Sequence, residues 1–373
     1  MCIRDRHIAL GCCTAYVDFL RRIGSEGSIR RERLALPVID EERRVAVLGE
    51  GPVALLRYRH VGLGDRLAVA RVARRLGKLE PTAHEHETFA ELLRRLGQSQ
   101  RAIDRFWEVF MRPALNLPSE EASAAAALFT VQTALLGGDG ASDVLMPVAP
   151  LGSMHGDAAG RALERAGARV VLRARVEALD DHAAVLADGV RVDADVFVVA
   201  LPPAESAELL GEPPPALEDS PIVSVHLLFD RRIMEPPLAA ILGSPAHWVF
   251  DRGRVTGHEP ERGQYLTVVS SGVPDLAATR GAELVELMRA ELVSRLGPAE
   301  LTWSRVSREP RATFAVRPGT ASQRPGPATA HPRVARAGAW TATGWPATME
   351  SAIRSGRAAA AHLMAVSREA VSA

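Results

Sequence analysis

The chain has 373 residues, a length that suits about two domains and excludes a single small one. Hydrophobic residues make up 47% and charged residues 24%, which excludes a mainly disordered chain and leaves enough apolar surface for a sizeable core. Its 45 basic and 45 acidic residues cancel, so the basic excess of a nucleic-acid binder is missing; Lys78 is the sole lysine, and arginine carries nearly all the positive charge.

No stretch is apolar for the roughly 18 residues that a membrane helix needs, and Met1–Arg6 leads into no apolar core of a signal peptide. Cys2, Cys12 and Cys13 cannot build a disulfide framework; the adjacent pair reads as packed small residues in a reduced, cytosolic setting. His84-Glu85-His86 comes nearest to a metal-ligand cluster, but residues two apart on a helix face different ways, so no metal site is expected. The arginines at 4, 6, 21, 22, 30 and 31 alternate with acids and read as a solvated surface.

In chain order, Leu10, Cys13, Val17, Leu20 and Ile23 recur every three or four residues and predict a helix over 8–23, stopped by Gly24. Residues 34–58 read as short strands around a Gly49-Glu50-Gly51 turn. Residues 63–136 read as mostly helical. Thr88 precedes a helix with Phe89, Leu92 and Leu93 inward, and Ile103, Trp107 and Phe110 form another apolar stripe. Ser119 is predicted to cap a helix running to Leu136, with Glu120 and Glu121 at its positive end.

An amphipathic helix over 153–166 follows, then strands at 169–173, 175–179, 183–187 and 190–193, with Asp188-Gly189 as a hairpin turn. The apolar run 196–201, ended by Pro202-Pro203, predicts a strand buried on both faces, as in a parallel sheet. Residues 212–221 read as a crossover, 222–229 and 264–270 as strands, 281–296 as a helix with Leu284, Leu287, Met288 and Leu292 inward, and 317–333 as a long loop.

The tail carries the strongest signal. Gly338-Ala339-Trp340 opens a Gly-rich turn that runs through Trp345-Pro346-Ala347-Thr348-Met349-Glu350 into a helix of Ala and Arg. The free N–H groups at such a helix start suit an electron-rich oxygen. This stretch resembles the C-terminal flavin-binding motif of the flavin amine oxidase/phytoene desaturase superfamily, in its hydroxysqualene dehydroxylase branch (squalene-associated FAD-dependent desaturases). Three further segments resemble that branch in the same order: His7–Gly24, Ser220–Leu227, and Gly243-Ser244-Pro245 through Arg252.

The resemblance implies an α/β, two-domain amine oxidase-like flavoprotein with a discontinuous FAD-binding domain and an α+β substrate domain. Residues 1–59 would be a remnant of the cofactor domain and lead-in, and 60–144 the helical part of the substrate domain. Residues 145–205 would belong to the cofactor domain, 206–309 to the sheet part of the substrate domain, and 310–373 to the cofactor domain again. By resemblance, Gly338, Ala339, Trp345, Pro346, Thr348, Met349 and Glu350 meet the flavin, with Val176 near the adenine and Pro202 where the chain passes the cofactor. Val176 also reads as an ordinary core residue, Pro202 as a strand terminator and Glu350 as a partner of the helix dipole.

Three departures stand out, the mildest being Ser351 within the helix in place of a Gly common in the family. Ala339 takes the place of the family's Asp or Glu, a loss worth about 1–3 kcal/mol of hydrogen bonding to the ribityl chain. The family's opening G-x-G-x-x-G turn has no counterpart: Gly49-x-Gly51 and Gly62-x-Gly64 lack the third glycine. The expectation is therefore a piece of a longer FAD-dependent parent, with FAD retention by the piece itself open.

The activity implied is reductive dehydroxylation of hydroxysqualene to squalene, feeding hopanoid-type triterpene synthesis. The alternatives are a carotenoid-type desaturase or another flavin amine oxidase, and, from another class, a lipid-binding homologue without flavin. Trp248 and Phe250, at i and i+2 of a strand, share a face and either line an isoprenoid tunnel or fill the core. His226, flanked by apolar residues, reads as a satisfied buried histidine. No catalytic acid stands out. The partner expected is an apolar isoprenoid, with peripheral contact to the inner membrane face as an addition to the cytosolic setting.

Overall fold

The computed structural model describes residues 8–180 and 182–372; Cys2, Arg4, Arg6 and His7 lie outside the described residues. The chain divides into two compact units. One holds the described residues of Met1–Cys13, Glu26–Met154 and Asp219–Pro318; the other holds Thr14–Ser25, His155–Glu218 and Gly319–Ala373.

The first unit is built on a seven-stranded sheet. Its order is Leu301–Phe314, Asp219–Phe229, Gln264–Ser271, Trp248–Asp251, Leu238–Ile241, Ala35–Ile39 and Val45–Gly49. All neighbours run antiparallel except Leu238–Ile241 and Ala35–Ile39, which are parallel. Strand alternation sorts the side chains. Val223, Val225, Leu227 and Phe229 pack with Leu284, Met288 and Leu292 of the Gly281–Leu296 helix. Leu287, expected inward, is 37% exposed, because the buried stripe follows the spacing of four through 284, 288 and 292.

Trp248, Phe250, Leu238, Ala240, Val38 and Leu36 form a second apolar cluster that also takes in Val109 and Phe106 from the helical region. In that region Thr88 completes a reciprocal cap: its Oγ1 accepts from Glu91 N (3.2 Å) while its own N–H donates to Glu91 Oε2 (2.8 Å).

Other expectations need correction too, beginning with residues 51–57, which form the helix Gly51–Arg57 instead of a strand. The first helix begins at Thr14, not at residue 8. Ala9–Leu10 instead pairs with Val144–Leu145, and the backbone at Gly11 lies so close to Gly140 that a Cβ would sit 1.9 Å from its carbonyl oxygen. Ser123, not Ser119, caps the later helix Ala124–Thr130. Ser119 is buried and held by Glu108, whose Oε2 accepts from its N–H (3.0 Å) and Oγ (2.6 Å); Glu120 pairs with Arg94 and Glu121 with Arg317.

Residues 169–173 form no strand. Arg173 takes φ 59°, which ends an extended run, and Leu172 is 81% exposed. Finally, only Phe197–Val199 of the run 196–201 is strand. It pairs in parallel with Val334–Arg336 in a two-stranded sheet. Val198 is 49% exposed, so burial on both faces is not met. A 370 Å³ apolar groove lined by Val196, Val198, Leu363 and Met364 runs alongside.

The second unit also carries the meander Val176–Leu179, Ala183–Leu186 and Arg191–Asp193, turning at Asp188-Gly189 as expected, with Gly189 at φ 83°. It also holds the helices Thr14–Ile23, Ala158–Arg165 and Pro203–Leu210 and the long terminal helix Met349–Ser372. Among the described residues no helix is long and apolar enough to cross a membrane.

Candidate functional site

The motif that the sequence singles out lies wholly in the second unit. Residues 338–348 form an irregular turn, and the terminal helix starts at Met349. Thr348 caps that helix: its Oγ1 accepts from Ser351 N (3.2 Å) and its carbonyl from Ala352 N (3.0 Å). The N–H groups of Met349 and Glu350 have no acceptor among the described residues, as expected of a first helical turn.

Gly338 has to be glycine for a local reason. A Cβ there would lie 2.3 Å from Trp340 Nε1, and that nitrogen donates to Leu201 O (3.1 Å). The same bond brings Leu201, and with it the start of Pro202, to the turn. Pro202 itself is the residue before the Pro203–Leu210 helix. Val176 lies in the meander opposite Leu186.

Glu350 has a use that the sequence does not reveal. Its carboxylate is buried and accepts from Ala15 N (3.1 Å) and Tyr16 N (2.7 Å), capping the Thr14–Ile23 helix from 335 residues away. Arg354 Nε also donates to it (2.7 Å), and the Arg354 guanidinium lies 4.9 Å from the centre of the Trp345 ring. Tyr16 then reaches His155, with OH and Nε2 2.8 Å apart. Trp345, Pro346, Thr348 and Met349 are half-buried at the edge of this assembly.

Arg324, from the loop before, closes the turn from the other side. It donates to the carbonyls of Ala339, Trp340, Thr341 and Trp345. Neither Arg324 nor the link from Glu350 to Ala15 was expected from sequence. The first sits in a Pro/Gly-rich loop, and the second joins chain ends that no local pattern connects.

Trp248 and Phe250 belong to the other unit. Their rings stack with centroids 6.1 Å apart, Phe250 is buried in the second apolar cluster, and Trp248 Nε1 donates to Val109 O (3.3 Å). His226 is buried, with Nδ1 within 3.0 Å of Thr267 Oγ1 and 2.9 Å of Tyr265 OH.

Nearby in sequence, His247 accepts from Ser271 N at Nδ1 (3.1 Å), which places its proton on Nε2. Burial, reinforced by the Arg112 charge, pulls its pKa down from 6.5 to about 3. The folded chain therefore resists a proton that the unfolded chain accepts, and stability is lost as pH falls from about 6.5 toward 3. Chemical denaturation of His247→Gln should show a flatter profile across that window, by about 1 kcal/mol per pH unit.

Asp40 is also held low, but against burial rather than by it. Burial alone would raise it, but hydrogen bonds and charge from Arg44, with His60, hold it below the usual carboxylate range.

Comparison with known proteins decides the family. Residues 28–364 match the model of the flavin containing amine oxidoreductases. The chain belongs to that family. Two relatives named hydroxysqualene dehydroxylase are similar to it. One, from Sinorhizobium fredii, is 31% identical over 66% of this chain and 59% of its own length; the other, from Rhodopseudomonas palustris, is 32% identical over 71% and 63%. The chain thus spans about three-fifths of the length of these curated relatives.

Among solved structures, cyclohexylamine oxidase from Brevibacterium oxydans superposes with a TM-score of 0.69, covering 97% of this chain and 88% of that one at 16% identity. That likeness shows the fold: an α/β, two-domain amine oxidase-like architecture, as the sequence implied.

The cofactor that goes with this family is a flavin. The residues present fit its ring end. The N–H groups of Met349 and Glu350, without an acceptor among the described residues, would be free to donate to an electron-rich edge of such a group. Ala339 offers no carboxylate to a ribityl hydroxyl.

Proposed function

We propose that the chain carries the greater part of an FAD-dependent oxidoreductase that acts on a C30 isoprenoid, replacing the hydroxyl of hydroxysqualene by hydrogen to give squalene. What supports this reading above all is the turn 338–348, closed onto a capped helix start, in a chain about 31% identical to two relatives that carry the hydroxysqualene dehydroxylase name.

The net change replaces C–OH by C–H: a hydride and a proton enter, and water leaves. FAD supplies the hydride chemistry when bound. In this reading the N–H groups of Met349 and Glu350 hold the pyrimidine edge. Trp345 and Pro346 shape the rim, and Glu350 acts indirectly by docking the Thr14–Ile23 helix. A C30 hydrocarbon gains affinity mainly by burial, so its binding surface would be apolar; Phe250, buried in the second apolar cluster, fills the core instead. The resemblance would place the chain in hopanoid-type synthesis, and the low water solubility of a C30 substrate favours loading from a membrane surface.

The test is an anaerobic assay of the FAD-supplemented chain with a reductant and hydroxysqualene, read by mass spectrometry. Squalene formation supports the proposal. Activity on phytoene or on amines instead would move the chain to the desaturase or amine oxidase alternatives. Tight lipid binding with no turnover and no flavin would favour the non-catalytic reading. A further expectation concerns the departure from the family pattern at position 339: Ala339→Asp should raise FAD affinity by about 5- to 150-fold, equivalent to one added hydrogen bond of about 1–3 kcal/mol. Equilibrium titration of the two chains measures it.

A further inference from the structure

We propose that Arg324 is the positioning residue of the cofactor turn: its one guanidinium gathers four backbone carbonyls and so sets the shape in which residues 338–348 meet the flavin. The inference rests on the flavin reading above.

The geometry carries it. Nε donates to Trp340 O (3.2 Å), Nη1 to Trp345 O (2.8 Å), and Nη2 to Ala339 O (3.1 Å) and Thr341 O, with Thr343 Oγ1 at 3.4 Å. Carbonyls of three consecutive residues, 339–341, therefore converge on one cation. Their oxygens carry like partial charge and would spread apart without it.

The turn so formed is tied forward to the helix. Ser351 Oγ donates to Ala339 O (3.0 Å) and lies 2.6 Å from Thr343 Oγ1. It is also tied back to its anchor, because Ala342 N donates to Pro325 O (2.9 Å), the residue next to Arg324. A displaced turn would thus carry the first helical residues with it.

Arginine is the side chain this needs. Its planar fork spreads donors over separated acceptors, whereas lysine offers three donors on one nitrogen. Burial draws the guanidinium down to about 10, and it stays cationic at neutral pH.

The experiment uses the full chain, first without flavin. Amide hydrogen exchange over 338–348 is compared in wild type, Arg324→Lys and Arg324→Met, with the Gly281–Leu296 helix of the other unit as the internal control. The expected result is exchange about tenfold or more faster in the turn of Arg324→Met, intermediate exchange in Arg324→Lys, and unchanged exchange in the control helix. FAD titration should show the same order of affinities.

Wild-type protection of the turn in Arg324→Met would overturn the proposal. Loosening that spreads equally to 281–296 marks a general loss of fold, and Arg324→Lys then decides: a turn that loosens alone supports the proposal, and wild-type protection of its turn overturns it. A turn that loosens selectively in a chain whose wild type takes up no FAD would leave Arg324 as the organiser of the turn and overturn its link to flavin.

Discussion

Glu350→Ala is expected to destabilise the unit that holds the terminal helix by about 2–4 kcal/mol, from the two buried N–H groups left without an acceptor. The carboxylate does three things at once. It accepts from Ala15 N and Tyr16 N, it pairs with Arg354, and through Arg354 it steadies the Trp345 ring. Alanine removes all three.

The N–H groups of Ala15 and Tyr16 sit in the first turn of the Thr14–Ile23 helix, where a cap is normally supplied by the residue just before. Here it comes from the other end of the chain, so its loss also undocks the helix. Glu350→Gln keeps one acceptor oxygen and loses the charge, and about half of the effect is expected. Thermal melts with denaturant titration on the three chains measure both. Equal stability of Glu350→Ala and wild type would show that the link does not hold the helix.

Asn116→Ala is expected to cost the sheet unit about 3–5 kcal/mol, the sum of three lost buried hydrogen bonds and a strained backbone. Asn116 ends the Glu108–Leu115 helix in the left-handed region, φ 51°. Its Nδ2 donates to Ser220 O (3.0 Å) and Thr313 Oγ1 (2.9 Å), and its Oδ1 accepts from Gly272 N (2.8 Å). One side chain thus joins a helix end to the strands Asp219–Phe229 and Leu301–Phe314 and to the loop after Gln264–Ser271.

Asn116→Gly separates the two contributions. Glycine tolerates the positive φ, so it should be about 1 kcal/mol less damaging than alanine, and the rest of the loss is the hydrogen bonds. Denaturant midpoints of the three chains read the difference. A glycine variant as stable as wild type would assign the whole effect to the backbone.

What the sequence reveals is what local chemistry decides. Thr88 before its helix, Asp188-Gly189 between alternating strands, and the stripe Leu284, Leu287, Met288 and Leu292 each act through neighbours a few residues away, and the structure follows them except at Leu287. Where the deciding partner is distant, local reading fails. Ser119 has the chemistry of a cap, but Glu108 claims both its N–H and its hydroxyl, and Ser123 takes the role. Val170, Val171 and Leu172 have strand propensity, yet Arg173 turns the chain, and no ladder forms among the described residues.

The site divides in the same way. The turn and the helix start of 338–350 are visible because glycine, proline and the helix pattern adjoin. Arg324 and the use of Glu350 are invisible because each acts across the fold on backbone groups, which leave no mark in side-chain spacing.

The central claim is that residues 338–350 form one end of a flavin site. FAD titration of the purified flavin-free chain tests it most directly, followed by the visible spectrum and by quenching of flavin fluorescence. The account predicts saturable binding with a shifted spectrum, weakened about tenfold or more in Arg324→Met and strengthened in Ala339→Asp. A spectrum indistinguishable from free FAD in wild type and in Ala339→Asp alike would contradict it.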